Sequence, residues 1–200
     1  MILFFDTETT GFVDKKKPAN WEGQPRLVQL GAVLTEDDGT ERAVVNLIVR
    51  PEPMMRIPEQ ASRVHGITDE IAFRCGVTPK SAMGVFFRLV EVSDLLVAHN
   101  MAFDLLVMQA EAYRNGQEKI AELLQSETLF CTMETATPIV NLPPTDRMLA
   151  AGFNKPKAPK LEECIRYFFG EEIEGAHDAL VDVRACARVY FHLLSLEDTP

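Results

Sequence analysis

Apolar side chains open the chain as an unbroken β-favouring run, Met1 to Phe5, which predicts a short strand buried on both faces. Two further β-rich runs follow, Arg26 to Thr35 and Thr40 to Arg50. Between them lies Glu36-Asp37-Asp38-Gly39, a hairpin turn signal, so these strands should pair antiparallel. Arg50-Pro51-Glu52-Pro53 then ends the sheet run, because proline cannot continue a central strand. From Ile57 the periodicity becomes helical. One short helix stops at Gly66, and Thr68 caps a second over Asp69 to Arg74 with Ile71 facing inward. A third helix over Pro79 to Val92 buries Met83, Phe86, Phe87 and Val90. Leu95 to Ala98 reads as a buried strand, Ala102 to Asn115 as a helix, and Thr128 to Cys131 as the last strand. Pro138 to Pro159 has loop composition with one helical turn at Met148 to Ala151. Leu161 to Phe169 is an amphipathic helix ending at Gly170, and Asp178 caps a final helix to about Leu196. Three strands followed by helices alternating with strands indicate an α/β fold with a mixed sheet.

One polar pair breaks the first apolar run. Asp6 and Glu8 follow Phe5 directly, and residues two apart on a strand share a face, so both carboxylates project together from the end of the central strand. Two anions that close repel unless a cation lies between them; the plain alternative is a strand running out into a solvated acidic turn.

The remaining acids bear on that choice. Asp104 sits just inside a helix that follows a buried strand, near the sheet edge where open α/β folds bind ligands. His177 precedes the last helix and Asp182 falls near its first turn, so an imidazole and a carboxylate share one end of one element. Val64-His65-Gly66-Ile67-Thr68 forms a turn between two short helices. An Asp early in a helix is favoured by the helix dipole without any function, and a lone His, such as His192, is commonly structural. Together the four carboxylates and His177 suit a two-metal phosphoryl-transfer site. Oxygen ligands favour Mg²⁺ or Mn²⁺, no Cys/His cluster has zinc spacing, and a histidine of near-neutral pKa can deprotonate water.

Composition narrows the classes. The 200 residues are 46% hydrophobic and 25% charged, those of an ordinary globular chain, with no run approaching a membrane span and no signal sequence at Met1. Four scattered cysteines, Cys75, Cys131, Cys164 and Cys186, are expected as reduced, mostly buried thiols of a cytoplasmic protein. A net charge of -10 argues against non-specific binding along duplex DNA but leaves room for local basic patches. Lys15-Lys16-Lys17, in the polar loop Phe12 to Pro25 beside the only tryptophan, Trp21, is one candidate; Lys155, Lys157 and Lys160 form another. A lysine run is more often simply a solvated loop.

Asp6-Thr7-Glu8-Thr9-Thr10-Gly11, His99-Asn100 with Phe103-Asp104, and His177 with Asp182 resemble the three exonuclease motifs of the DEDDh (DnaQ-like) 3′→5′ exonuclease family, and Val64 to Thr68 matches a fourth signature. That family includes the proofreading epsilon subunit of bacterial replicative polymerase. The resemblance runs from Met1 to about Leu194, giving the expectation of a single exonuclease domain over 1–200 without the C-terminal extension of epsilon-type subunits. It implies an RNase H-like fold with a five-stranded mixed sheet flanked by helices. It also implies Asp6, Glu8, Asp104 and Asp182 as ligands of two Mg²⁺ or Mn²⁺ ions, His177 as general base, and Thr7, Gln60, His65, Asn100 and Phe103 as the lining for the 3′-terminal nucleotides. Phe103 is equally explicable as core packing of its helix. The implied activity is release of nucleoside 5′-monophosphates from single-stranded DNA 3′ ends, with a polymerase or repair partner. An exoribonuclease trimming RNA ends, and an inactive nuclease fold used for binding, stand as alternatives. The Phe12 to Pro25 loop is longer than the usual connection at this point; guiding a strand inward or touching a partner are its two candidate roles.

Overall fold

A computed structural model describes residues 1–52 and 55–197 of the chain. Pro53, the last of the residues predicted to end the sheet run, lies outside the described residues. The sheet contains β1 (Ile2–Thr9), β2 (Leu27–Thr35), β3 (Glu41–Ile48), β4 (Leu95–Ala98) and β5 (Leu129–Cys131) in the order β3-β2-β1-β4-β5. The pairs β1–β2 and β2–β3 are antiparallel, whereas β1–β4 and β4–β5 are parallel. The sheet is therefore mixed, with β1 at its centre.

Helices α1 (Glu59–His65), α2 (Asp69–Cys75) and α3 (Pro79–Val90) fill the connection from β3 to β4, and α4 (Met101–Arg114) and α5 (Glu118–Ser126) the connection to β5. After β5 come α6 (Thr132–Val140), α7 (Asp146–Ala150), α8 (Leu161–Phe169) and α9 (Ala179–Glu197). Side-chain alternation along β1 feeds two cores. Leu3 and Phe5 pack with Leu30, Met83, Phe86 and Met108 on the α3–α4 face, Phe5 and Phe86 having ring centroids 5.1 Å apart. Ile2 and Phe4 pack with Val183, Cys186 and Tyr190 of α9 on the other. By the same parity Asp6 and Glu8 belong to the α9 face and Thr7 to the α4 face.

Several expectations need correction. The first strand does not stop at Phe5: its pairing with β2 continues to Thr9, so the two acids lie within it. Ile71 is exposed and Ala72 is the inward residue of α2. Pro138 does not begin a loop but lies inside α6, which ends two residues later at Val140 and is capped by an Asn141 in left-handed conformation. Helix α5 had no prediction at all. Of the cysteines, all free, Cys164 and Cys186 are buried, Cys131 partly so, and Cys75 is exposed. Among the described residues no helix is long and apolar enough to cross a membrane.

Candidate active site

The opening in the sheet comes from unequal strand lengths. On one side of β1, β2 pairs along its full length, Asp6 opposite Gly31 and Glu8 opposite Gln29. On the other side β4 pairs only with Ile2, Leu3 and Phe4. Past Ala98 the chain turns through Asn100, at φ +71°, directly into α4. The second half of β1 therefore has a free flank at the level of its two acids. The first turn of α4 fills part of it with Asp104, only 2% exposed. Both donors of Thr7, its backbone N–H (2.9 Å) and its hydroxyl (2.8 Å), point to Asp104 Oδ1. Thr7, expected to line a nucleotide pocket, is itself buried, and its hydroxyl is committed to that carboxylate.

The second side of the site depends on how α9 begins. Asp178 caps it, its Oδ1 accepting the N–H groups of Leu180 (3.0 Å) and Val181 (3.3 Å). Gln29 of β2 clamps this cap from below: its Nε2 donates to Asp178 Oδ2 (3.1 Å) and its Oε1 accepts the Ala179 N–H (3.2 Å). Close approach is possible because β2 carries glycine at position 31, where a Cβ would lie 2.5 Å from the Ala179 carbonyl. His177, at φ +69°, turns the chain into the helix, and its backbone N–H donates to Asp182 Oδ2 at 2.9 Å. Its ring is half-exposed, with Nε2 3.8 Å from Glu162 Oε1.

Asp6, Glu8, Asp104, His177 and Asp182 line one cleft of about 420 Å³, together with Asn100, Phe103, Lys160 and Glu162. A second cleft of about 470 Å³ adjoins it, lined by Gln60, Val64 and His65 of α1 and sharing Thr7, Glu8, Phe12 and Phe103 with the first. All ten residues singled out from the sequence thus meet in one continuous depression. Phe103 is half-buried at the junction. His65 Nδ1 accepts the Ile67 N–H at 3.1 Å, which leaves the ring proton on Nε2.

Sequence reasoning missed Phe12, Gln29 and Glu162 in or around this depression; Lys160, expected in a basic patch, lines the first cleft, and Asp178, expected as a helix cap, is one. Phe12 is the most conspicuous, 95% exposed and common to both clefts. Its only sequence signal was an aromatic residue in a polar loop. His99 serves as a brace: Nδ1 pairs with Thr132 Oγ1 (2.9 Å) and Nε2 with the Pro159 carbonyl (3.1 Å), tying β4 to α6 and to the loop before α8. Burial lowers its pKa to about 4.

Electrostatically the cluster is uncompensated. Burial, then the neighbouring carboxylates Asp104, Asp182 and Glu8, push Asp6 well above the usual carboxylate range. Burial followed by Asp182 and Asp104 raises Glu8 to about 8. Burial raises Asp104 to about 7 against the lowering effect of the Thr7 hydrogen bonds, and burial raises Asp182 too, against its bond from the His177 N–H. Burial and neighbouring carboxylates raise all four acids, Asp182 through Glu162 and Asp178, and among the described residues none of the four has a Lys or Arg ion-pair partner, which are the electrostatics of a cation-binding site. Ligand atoms of Glu8, His177 and Asp182 lie within 4.8 Å of one another, close enough to share one ion.

Comparison with known proteins gives this geometry a context. The exonuclease family model RNase_T matches residues 3–190. The DNA polymerase III subunit epsilon of Buchnera aphidicola subsp. Schizaphis graminum (strain Sg) is 24% identical over 203 residues, covering 99% of this chain and 76% of that protein. E. coli exonuclease I in complex with a dT13 oligonucleotide superposes with a TM-score of 0.75 at 21% identity, over 98% of this chain and 42% of that one. The zinc-bound E. coli exonuclease I–ssDNA complex (TM-score 0.72, 20% identity) is covered to 41% by all of this chain, as is exonuclease I of Methylocaldum szegediense (0.70, 22%). The chain thus spans about two fifths of the exonuclease I structures it matches. Likeness at these identities shows the fold, which is RNase H-like.

Proposed function

The chain belongs to the RNase_T exonuclease family and is a DnaQ-like nuclease; on that footing we propose that it is a metal-dependent 3′→5′ exonuclease. It would remove nucleoside 5′-monophosphates from single-stranded DNA ends. One observation supports this above the rest: β1, α4 and the start of α9 bring Asp6, Glu8, Asp104 and Asp182 into one cleft with His177 at its edge. Single-stranded DNA as substrate is supported by the oligonucleotide complexes of the structural relatives.

In this reading the four carboxylates hold divalent cations, two Mg²⁺ or Mn²⁺ ions as the family resemblance implies. Such ions supply Lewis-acid stabilisation of charge on the phosphodiester oxygens when bound. The His177 imidazole accepts the proton of a water molecule as the water oxygen attacks the terminal phosphorus. The P–O3′ bond breaks with its electron pair on O3′, which takes up a proton from solvent, leaving a shortened strand with a 3′-hydroxyl and a free 5′-monophosphate. Glu162, with Oε1 3.8 Å from His177 Nε2, orients the ring. Phe12 and Phe103 offer aromatic surface to the terminal bases, where stacking is worth roughly 1–3 kcal/mol per base. Gln60, His65 and Asn100 supply polar contacts around them.

The test is a strand labelled at its 5′ end, incubated with the protein and Mn²⁺, beside Asp6→Ala. Stepwise shortening by the wild type alone supports the proposal. An intact strand in both reactions rules the enzyme out, and a matched RNA strand shortened in preference to DNA replaces the substrate.

A further inference from the structure

The loop after Phe12 is neither short nor loosely held. Gln24, 2% exposed, accepts the Asp14 N–H through Oε1 (3.0 Å), while its Nε2 donates to the carbonyls of Asp14 (3.0 Å), Lys17 (3.3 Å) and Pro18 (3.3 Å). Arg114 at the end of α4 donates to the carbonyls of Glu22, Gln24 and Pro25. Arg114 is itself held by Glu111, a buried carboxylate that also pairs with Arg26 at 2.7 Å. These bonds fix the turn that carries the three lysines against the outer side of α4.

Between loop and helix lies a cleft of about 530 Å³, separate from the two of the candidate active site. Its floor is apolar: Ala102, Leu105, Leu106 and Tyr113 fall along one stripe of α4. Its rim holds Lys15 and Lys17, and no carboxylate lines it. In a chain of net charge -10, a lysine-rimmed cleft free of acids beside an acidic site is a local inversion of sign. The cleft borders the active site: Lys15 Nζ reaches Asn100 Oδ1 at 3.5 Å, and Ala102 is the chain neighbour of Phe103.

We propose that this cleft binds the substrate strand upstream of its terminal nucleotides, its phosphates on Lys15 and Lys17 and its bases on the apolar stripe. The proposal rests on the nuclease reading of the neighbouring site. From Ala102 to Tyr113 the stripe extends about 16 Å at 1.5 Å per residue. That is room for roughly five stacked nucleotides at 3.4 Å each. A strand of three nucleotides would fill the active site alone, and a longer one would reach the lysines.

Fluorescence anisotropy with phosphorothioate-protected dT oligonucleotides of 3 and 12 residues tests this. The wild type should bind the longer strand at least tenfold more tightly. K15Q/K17Q should lower that ratio fivefold or more and reduce the salt slope for the 12-mer by about 1.4, two phosphate contacts at ~0.7 each. L106Q should lower the ratio without changing the salt slope. If neither variant alters ratio or slope while the wild type still cleaves an unprotected strand, the cleft assignment is overturned and the nuclease reading stands. If the wild type cleaves nothing yet the variants lose the length dependence, the cleft assignment survives and the nuclease reading fails.

Discussion

Thr7 directs two donors at one oxygen of Asp104, and at that position a methyl would be nearly isosteric with the hydroxyl. Thr7→Val keeps the backbone bond and the packing but removes a hydrogen bond to a charged group, an interaction worth about 1.5–3 kcal/mol. Asp104 should then be still harder to ionise, and half-maximal activity should need roughly tenfold more Mn²⁺, as read from a metal titration. His99 gives a second prediction at this scale. Its pKa falls from the usual 6.5 to about 4 on folding, so below 6.5 the unfolded chain takes up a proton that the folded chain refuses. With the acid cluster held ionised by saturating Mn²⁺, the His99 contribution is whole above pH 6.5 and is lost as pH falls toward 4, and under that condition His99→Gln should make denaturant unfolding less pH-dependent in that window. Asp6 and Glu8 were legible in the sequence because period-two alternation fixes relative direction along a strand. Gln29 was not, nor its clamp on the Asp178 cap, since that contact joins residues about 150 positions apart. Ile71 misled because a seven-residue helix offers too few apolar positions to define a buried face.

Among the elements, β1 shows what local pattern omits. Apolar residues end at Phe5, yet the strand continues to Thr9, because β2 supplies hydrogen bonds irrespective of side-chain polarity. The strand order and the premature end of β4 decide where the cleft opens, and both are tertiary facts. The last helix was better marked, with its cap at Asp178 and the acid four residues on. The path into it depends on Gly31. Gly31→Ala would drive a Cβ to 2.5 Å from the Ala179 carbonyl and displace the turn holding His177 and Asp182. Displacement of about 1 Å can cost 10²-fold in rate, and a loss of that order is expected in kcat, with a lowered Tm. Gly84→Ala is the matched control: in α3, with nothing within 4 Å of the added Cβ, it should stabilise by about 0.5–1 kcal/mol. Pro138 opens a stretch whose Pro, Asn, Gly and Lys content predicts a loop, and composition alone does not show that the preceding helix runs past it; α6 accommodates the proline near its C-terminal end.

For the molecule as a whole, the acid cluster makes stability depend jointly on pH and metal. Glu8 near 8 and Asp104 near 7 bind protons more tightly folded than unfolded. The metal-free protein should therefore gain stability as pH falls from 8.5 to 6.5, a range above the His99 window. Divalent cations replace those protons, so saturating Mn²⁺ should raise Tm most at pH 8.5 and flatten the slope. A thermal-shift series with EDTA or Mn²⁺ at both pH values measures the difference; equal slopes would mean that the carboxylates hold no ion. The charge total alone gave no warning of this arrangement, since a count of acids does not say which are pressed together.

Phe12 stands in water with 95% of its surface uncovered, at the meeting of the two clefts. A ring so placed orders solvent in the free protein, and any base that stacks on it releases that solvent. Binding of a strand should then carry a negative heat-capacity change, seen by calorimetry as an enthalpy that grows more favourable with temperature. Phe12→Ala should make that temperature dependence shallower, separating a ring that meets the substrate from one that merely borders the cleft.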